Sequence, residues 1–199
     1  LAQHYGFTEF YDFNQALKQK PDIAFVCNPS QFHFSTSLAL AKNKSCLFIE
    51  KPLSTNFSEI AKLERLIKAE KIVSMVGFQT RFHPCVKAIK HELEYNKWGK
   101  VLSAQFDWST YLPDHHTYED YRHGYAARKD LGGGVTFCLS HELDLIYHFW
   151  KRPVSVYSIG GNSSLLDMNV DDTISALFKF EQNSHHFPVH LHLSFTQGE

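Results

Sequence analysis

The chain has 199 residues, enough for one large domain or two small ones with real cores. Its 20 basic and 21 acidic residues leave a formal net charge of -1, so neither nucleic acid nor an anionic membrane is favoured as a partner. No apolar run is long enough to span a bilayer, and Cys27, Cys46, Cys85 and Cys138 lack CxxC spacing, which points to reduced thiols in a cytoplasmic protein.

Ala2 to Gly6 reads as a helix tail closed by a glycine, and Phe7 to Tyr11 as a short strand. Asp12 can cap a short helix that starts at Phe13. The apolar runs Ile23–Cys27, Cys46–Ile49 and Ile72–Val76 have strand length. Between them lie helical stretches, Phe32–Lys42 and a longer amphipathic one carrying Ile60, Leu63, Leu66 and Ile67, which Ser54-Thr55-Asn56 can cap. Strand and helix in alternation with short connections predict a parallel, doubly wound sheet over residues 1–80.

The pattern then changes. Val86–Tyr95 predicts a helix and Lys100–Thr110 a half-buried strand. Tyr111–Asp130 is an aromatic, polar loop of a length that is usually functional or disordered. Leu131-Gly132-Gly133-Gly134 leads into a helix running to about Trp150, with Leu139, Leu143, Ile146 and Trp150 on its core stripe. Three strands follow, Val154–Gly160, Thr173–Phe180 and Phe187–Phe195, with no helix between them, which predicts an antiparallel sheet. The expected fold class is α/β: a partial Rossmann-like parallel sheet over residues 1–80, then an α+β domain with a predominantly antiparallel sheet over residues 81–199. The chain opens at Leu1 inside what reads as a helix end and stops just after an apolar strand, so we expect a piece of a longer protein.

Two stretches carry candidate chemistry. Glu50-Lys51-Pro52 ends an apolar strand, and open α/β sheets bind ligands beyond the carboxyl ends of their strands. The alternative is a solvated acid–base pair on a loop. In the later helix, His141, Asp144 and His148 fall at i, i+3 and i+7 on one face, where an imidazole near neutrality can move protons; a polar surface face is the alternative. His185, His186, His190 and His192 invite comparison with zinc sites, but no thiolate or carboxylate stands at ligand spacing, and no metal is expected.

Taken in order, Asn28-Pro29-Ser30-Gln31-Phe32-His33, Glu50-Lys51-Pro52-Leu53, Gly77-Phe78-Gln79-Thr80-Arg81-Phe82, the triple glycine and Ser140-His141-Glu142-Leu143-Asp144 resemble the Gfo/Idh/MocA family of nicotinamide-dependent oxidoreductases over nearly the whole chain. The run from Tyr121 to Leu131 is most similar to members from bacterial surface-sugar pathways. The resemblance implies NAD or NADP as cofactor, a sugar, nucleotide-sugar or cyclitol as substrate, and a homo-oligomer, dimer or tetramer. It implies Lys51 at the reacting hydroxyl or carbonyl and His141 as acid/base, with Asp144, Tyr125 and Lys129 toward substrate. Asn28, Pro29, His33 and Glu50 would line the nicotinamide half, with Gln79 and Arg81 nearby. Two features depart from the family. No GxGxxG follows a strand, so the phosphate-binding unit is expected before Leu1; and Cys138 stands where close relatives carry an aspartate. The second departure keeps open a non-catalytic sugar- or cofactor-binding protein on the same fold.

Overall fold

The computed structural model describes residues 2–95, 98–163, 166–182 and 184–197. A first turn of helix, α1 (Ala2–Tyr5), ends at Gly6, whose φ of 69° is the left-handed conformation. Helix α2 (Phe13–Lys18) starts where Asp12 accepts a hydrogen bond from the Asn14 amide at 2.8 Å. The segment between them is not a strand: Phe7 and Phe10 stay exposed and the backbone pairs with no strand among the described residues.

Strands β1 (Ile23–Val26), β2 (Cys46–Ile49) and β3 (Ser74–Val76) form a parallel sheet in the order β1-β2-β3. Helices α3 (Ser30–Lys42) and α4 (Ile60–Glu70) supply the crossovers. Val26, Leu47 and Ile49 meet Leu40, Ala41 and Leu63 in one small core. The opposite face of the sheet is open, with Ile23 61%, Phe25 70% and Met75 42% exposed. The expected cap of α4 is displaced: Ser54 and Asn56 close a turn on each other, and the helix begins only at Ile60 without a side-chain cap.

Beyond a 3₁₀ turn at Gln79–Phe82 and helix α5 (Pro84–Tyr95), the second sheet is built from β4 (Ala104–Ser109), β5 (Ser155–Gly161), β6 (Thr173–Gln182) and β7 (His185–Ser194). Its order is β4-β7-β6-β5, and it is mixed: β5–β6 and β6–β7 are antiparallel, whereas β4 runs parallel to β7. Alternation along a strand fixes which face is buried but not the direction of its neighbour, so the parallel pair was not readable locally.

The predicted helix after the glycines is two helices, α6 (Val135–Cys138) and α7 (Ser140–Trp150), broken at Leu139, where ψ turns to 36°. Both rest on the inner face of the sheet. Phe178, Phe180, Phe187, Val189, Leu191 and Leu193 pack there against Val135, Leu139 and Ile146, each fully buried large side chain contributing about 1.5–3 kcal/mol. The break at Leu139 puts Cys138 at the end of one helix and His141 in the first turn of the next.

Candidate active site

The carboxyl ends of β1, β2 and β3 deliver Asn28, Glu50-Lys51 and Gly77-Phe78 to one side of the first sheet. Lys51 crosses from there to the second core: its Nζ donates to the Cys138 carbonyl oxygen at 2.6 Å, a link between residues 87 apart in sequence. That carbonyl is free because α6 ends there. The helix break therefore supplies the anchor for the lysine.

Behind Lys51 sits His33. It is 2% exposed, with Nδ1 2.6 Å from the Pro52 carbonyl oxygen and Nε2 2.7 Å from that of Asn28. The imidazole thus braces the loops after β1 and β2 together. Asn28 donates from Nδ2 to Thr36 Oγ1 at 2.9 Å, which leaves its Oδ1 buried with no protein partner. A buried acceptor without a donor is costly unless another molecule satisfies it. Pro29 opens α3, and Glu50 places Oε1 3.3 Å from where a Cβ on Gly77 would lie.

The triple glycine is required by close approach and, at Gly132 and Gly134, by a positive φ as well. All three residues are buried. A Cβ on Gly132 would lie 2.7 Å from the Gln31 amide nitrogen and 2.8 Å from Thr55 Cγ2, and one on Gly134 would meet the Asp171 carboxylate. Asp171 in turn accepts from the Thr136 amide at 2.9 Å and from its hydroxyl at 2.6 Å, holding the first turn of α6. Only glycine lets this segment seat against the start of α3.

Arg81 and Asp144 form a two-pronged ion pair, Nε to Oδ2 at 2.7 Å and Nη2 to Oδ1 at 2.5 Å, with the aspartate side chain only 7% exposed. The hydrogen bond to Asp144 raises the Arg81 pKa. Phe78 lies against both the guanidinium and His141, edge-on to the imidazole at 5.8 Å between centroids.

Between these elements is a cavity of about 340 Å³. Its lining includes Lys51, Tyr125, Cys138, His141 and Glu142, together with Trp108, Leu112, His115, Tyr121 and Phe195. Burial, and next the Lys51 charge, hold the His141 pKa below its ordinary value, so the ring is neutral near pH 7; its Nδ1 is buried without a partner. Burial pushes the Cys138 thiol up to about 11, so it carries no charge to support an imidazolium. Burial likewise raises Tyr125, whose hydroxyl neighbours that thiol, and Glu142.

Of the residues singled out from sequence, Lys51, His141 and Tyr125 meet in this cavity. Asp144 and Arg81 satisfy each other outside its lining, and Gln79 is exposed on the 3₁₀ turn. Lys129 is also exposed; its amide donates to Asn169 Oδ1 at 2.8 Å and its side chain is not part of the lining. Sequence reasoning missed Glu142, Thr80, Trp108 and Glu119. Glu142 follows His141 directly, and consecutive helical residues point about 100° apart, so the facing rule gave no reason to pair them. Among the described residues no group of three or more His, Cys, Asp or Glu is placed to hold a metal, and His192 is engaged by Ser175 at 2.8 Å. No helix among them is long and apolar enough to cross a membrane.

Comparison with known proteins agrees with this layout. The family model described as the oxidoreductase family, NAD-binding Rossmann fold, matches residues 1–78, and that of the GFO/IDH/MocA C-terminal domain matches residues 86–198. Myo-inositol 2-dehydrogenase of Thermotoga maritima is 32% identical over 102 residues, 50% of this chain and 30% of the relative. The 2,7-anhydro-N-acetylneuraminate hydratase of Escherichia coli is 25% identical over 145 residues, 71% of this chain and 37% of the relative. The WlbA dehydrogenase of Bordetella pertussis, solved with NADH and UDP-GlcNAcA, superposes with a TM-score of 0.85 at 17% identity, over 98% of this chain and 58% of that one, which shows a shared fold. The chain spans less than two thirds of the length of each.

Proposed function

This chain belongs to the GFO/IDH/MocA oxidoreductase family, and from that premise we propose that the whole protein is an NAD(P)-dependent oxidoreductase acting on a hydroxyl or keto carbon of a sugar, nucleotide-sugar or cyclitol. The observation that carries the reading is the convergence of Lys51 and His141 on one cavity beside the carboxyl ends of the parallel strands. The residues present fit a nicotinamide: the orphaned Asn28 Oδ1 is an acceptor awaiting a donor, and Gly77, where a side chain would crowd Phe48 and Glu50, keeps the strand end open. NAD(P) supplies a hydride acceptor or donor.

The rest of the work falls to the chain. Lys51, anchored on the Cys138 carbonyl, points its remaining N–H groups at the substrate oxygen and stabilises charge as the C–O bond order changes. His141 is neutral near pH 7 and so in the form that takes the hydroxyl proton during oxidation; in reduction it returns that proton. Trp108 and Tyr121 offer flat apolar walls for a ring, and Tyr125 a hydroxyl donor. Arg81 and Asp144 position the start of α7, and with it His141, against the first sheet.

The four cysteines are free, which supports a cytoplasmic location. The outward face of the second sheet exposes Tyr157, Ile159 and Leu177, which supports a homo-oligomer assembled through that face; light scattering of the whole protein reads its size, and a monomer would remove this part of the reading.

The test is nicotinamide reduction by the full-length protein on a panel of sugars and cyclitols, wild type beside Lys51→Ala. A loss of about 10²- to 10⁴-fold in kcat is expected. Turnover that survives the alanine contradicts the role given to Lys51.

A further inference from the structure

The charges around the cavity are unequal. Lys51 is the one lysine or arginine that lines it among the described residues, and two carboxylates, Glu142 and Glu119, line it too. Glu119 is exposed, with Oε1 3.7 Å from where a Cβ on Gly124 would sit. The arginines close in sequence to lining residues each have a carboxylate partner. Arg81 is held by Asp144, Arg122 by Asp120 at 2.5 Å, and Arg128 by Asp130 at 2.5 Å. His115, His116 and His141 line the cavity as well, and burial lowers the pKa of His115 and of His141, which disfavours their charged forms.

From this balance we infer that the cavity selects uncharged sugars or cyclitols and turns away their carboxylated or phosphorylated counterparts, with Glu142 as the residue that sets the discrimination. The inference rests on the reading of this cavity as the site of the reacting alcohol. Glu142 lines the cavity, directly follows His141 in the chain and is half-buried, so an anion entering the cavity meets it with reduced screening. Lys51 is already anchored on a backbone carbonyl and shares its field with Glu142. Recognition of an anion requires unengaged cationic donors, and a second negative charge beside a carboxylate is repelled. A neutral polyol meets no such cost: a carboxylate accepts hydrogen bonds from its hydroxyl groups.

The experiment uses the full-length protein with NAD(P), at pH 7.5, on matched pairs: myo-inositol against myo-inositol 1-phosphate, and glucose against glucuronate. Binding is followed by the fluorescence of Trp108, which lines the cavity, and turnover by nicotinamide absorbance. The neutral member is expected to lead its pair by about tenfold or more in affinity and in kcat/KM. In Glu142→Gln that lead should shrink severalfold, through tighter binding of the anion. Equal or better binding of the anionic member to wild type, or a ratio unmoved by Glu142→Gln, overturns the inference while leaving the oxidoreductase reading intact. Failure of all four compounds to bind overturns the reading of the cavity and this inference with it.

Discussion

Replacing Gly132 by alanine tests how the two halves of the molecule are joined. Two separate costs apply. The backbone there has a φ of 81°, and a residue with a Cβ pays about 1–2 kcal/mol for the left-handed region. The added methyl would also lie 2.7 Å from the Gln31 amide nitrogen, 2.8 Å from Thr55 Cγ2 and 3.0 Å from Ser30 Cβ. Backbone cannot yield as a flexible side chain does, and overpacking of this kind costs about 1–3 kcal/mol, so the total is about 2–5 kcal/mol. Gly99 separates the two effects, since its φ is 84° but a Cβ there would meet nothing within 4 Å. Gly99→Ala should therefore show the backbone cost alone. Urea denaturation of wild type and both variants measures the difference, with Gly132→Ala weaker than Gly99→Ala by at least about 1 kcal/mol. Equal destabilisation would refute the claim that Gly132 is required by close approach.

The Arg81–Asp144 pair should show a coupling of about 1–3 kcal/mol in a double-mutant cycle of Arg81→Gln and Asp144→Asn, below the value for a fully buried pair because the guanidinium is 35% exposed to screening solvent. A coupling near zero would mean that the pair does not hold α7 to the 3₁₀ turn. Stability should also depend on pH through His141, whose folded pKa lies below its ordinary 6.5. The unfolded chain binds the proton first, so the contribution is complete above about pH 6.5 and is lost as pH falls through the lower folded value. The urea midpoint of His141→Gln should thus fall less steeply than that of wild type below pH 6.5; parallel slopes would contradict the burial of this ring.

The three parallel strands were legible because each is a compact apolar run between turn-forming residues, and Asp12 announced its helix by chemistry that acts locally. The cap expected at Ser54-Thr55-Asn56 failed because Ser54 and Asn56 satisfy each other in a turn, a local alternative that competes with helix initiation. The break at Leu139 was hidden, since the helical period runs through it almost unchanged. In the site, Lys51 and His141 stood out through their place in the chain and the family resemblance. The partners that define them did not: Lys51 finds a carbonyl 87 residues away, and Asp144 is taken by an arginine 63 residues away. The contacts of His33 with two backbone carbonyls were not readable either, since they exist only once the β1 and β2 loops are side by side.

The central claim is hydride transfer at the cavity where Lys51 and His141 meet. It is tested most directly with a sugar or cyclitol carrying deuterium on the carbon to be oxidised, incubated with the full-length protein and NAD(P), followed by mass spectrometry of the nicotinamide. The account predicts that the deuterium appears in the reduced cofactor, one per product formed. Product formed with the label released to water, or no product from any compound that binds, would contradict it.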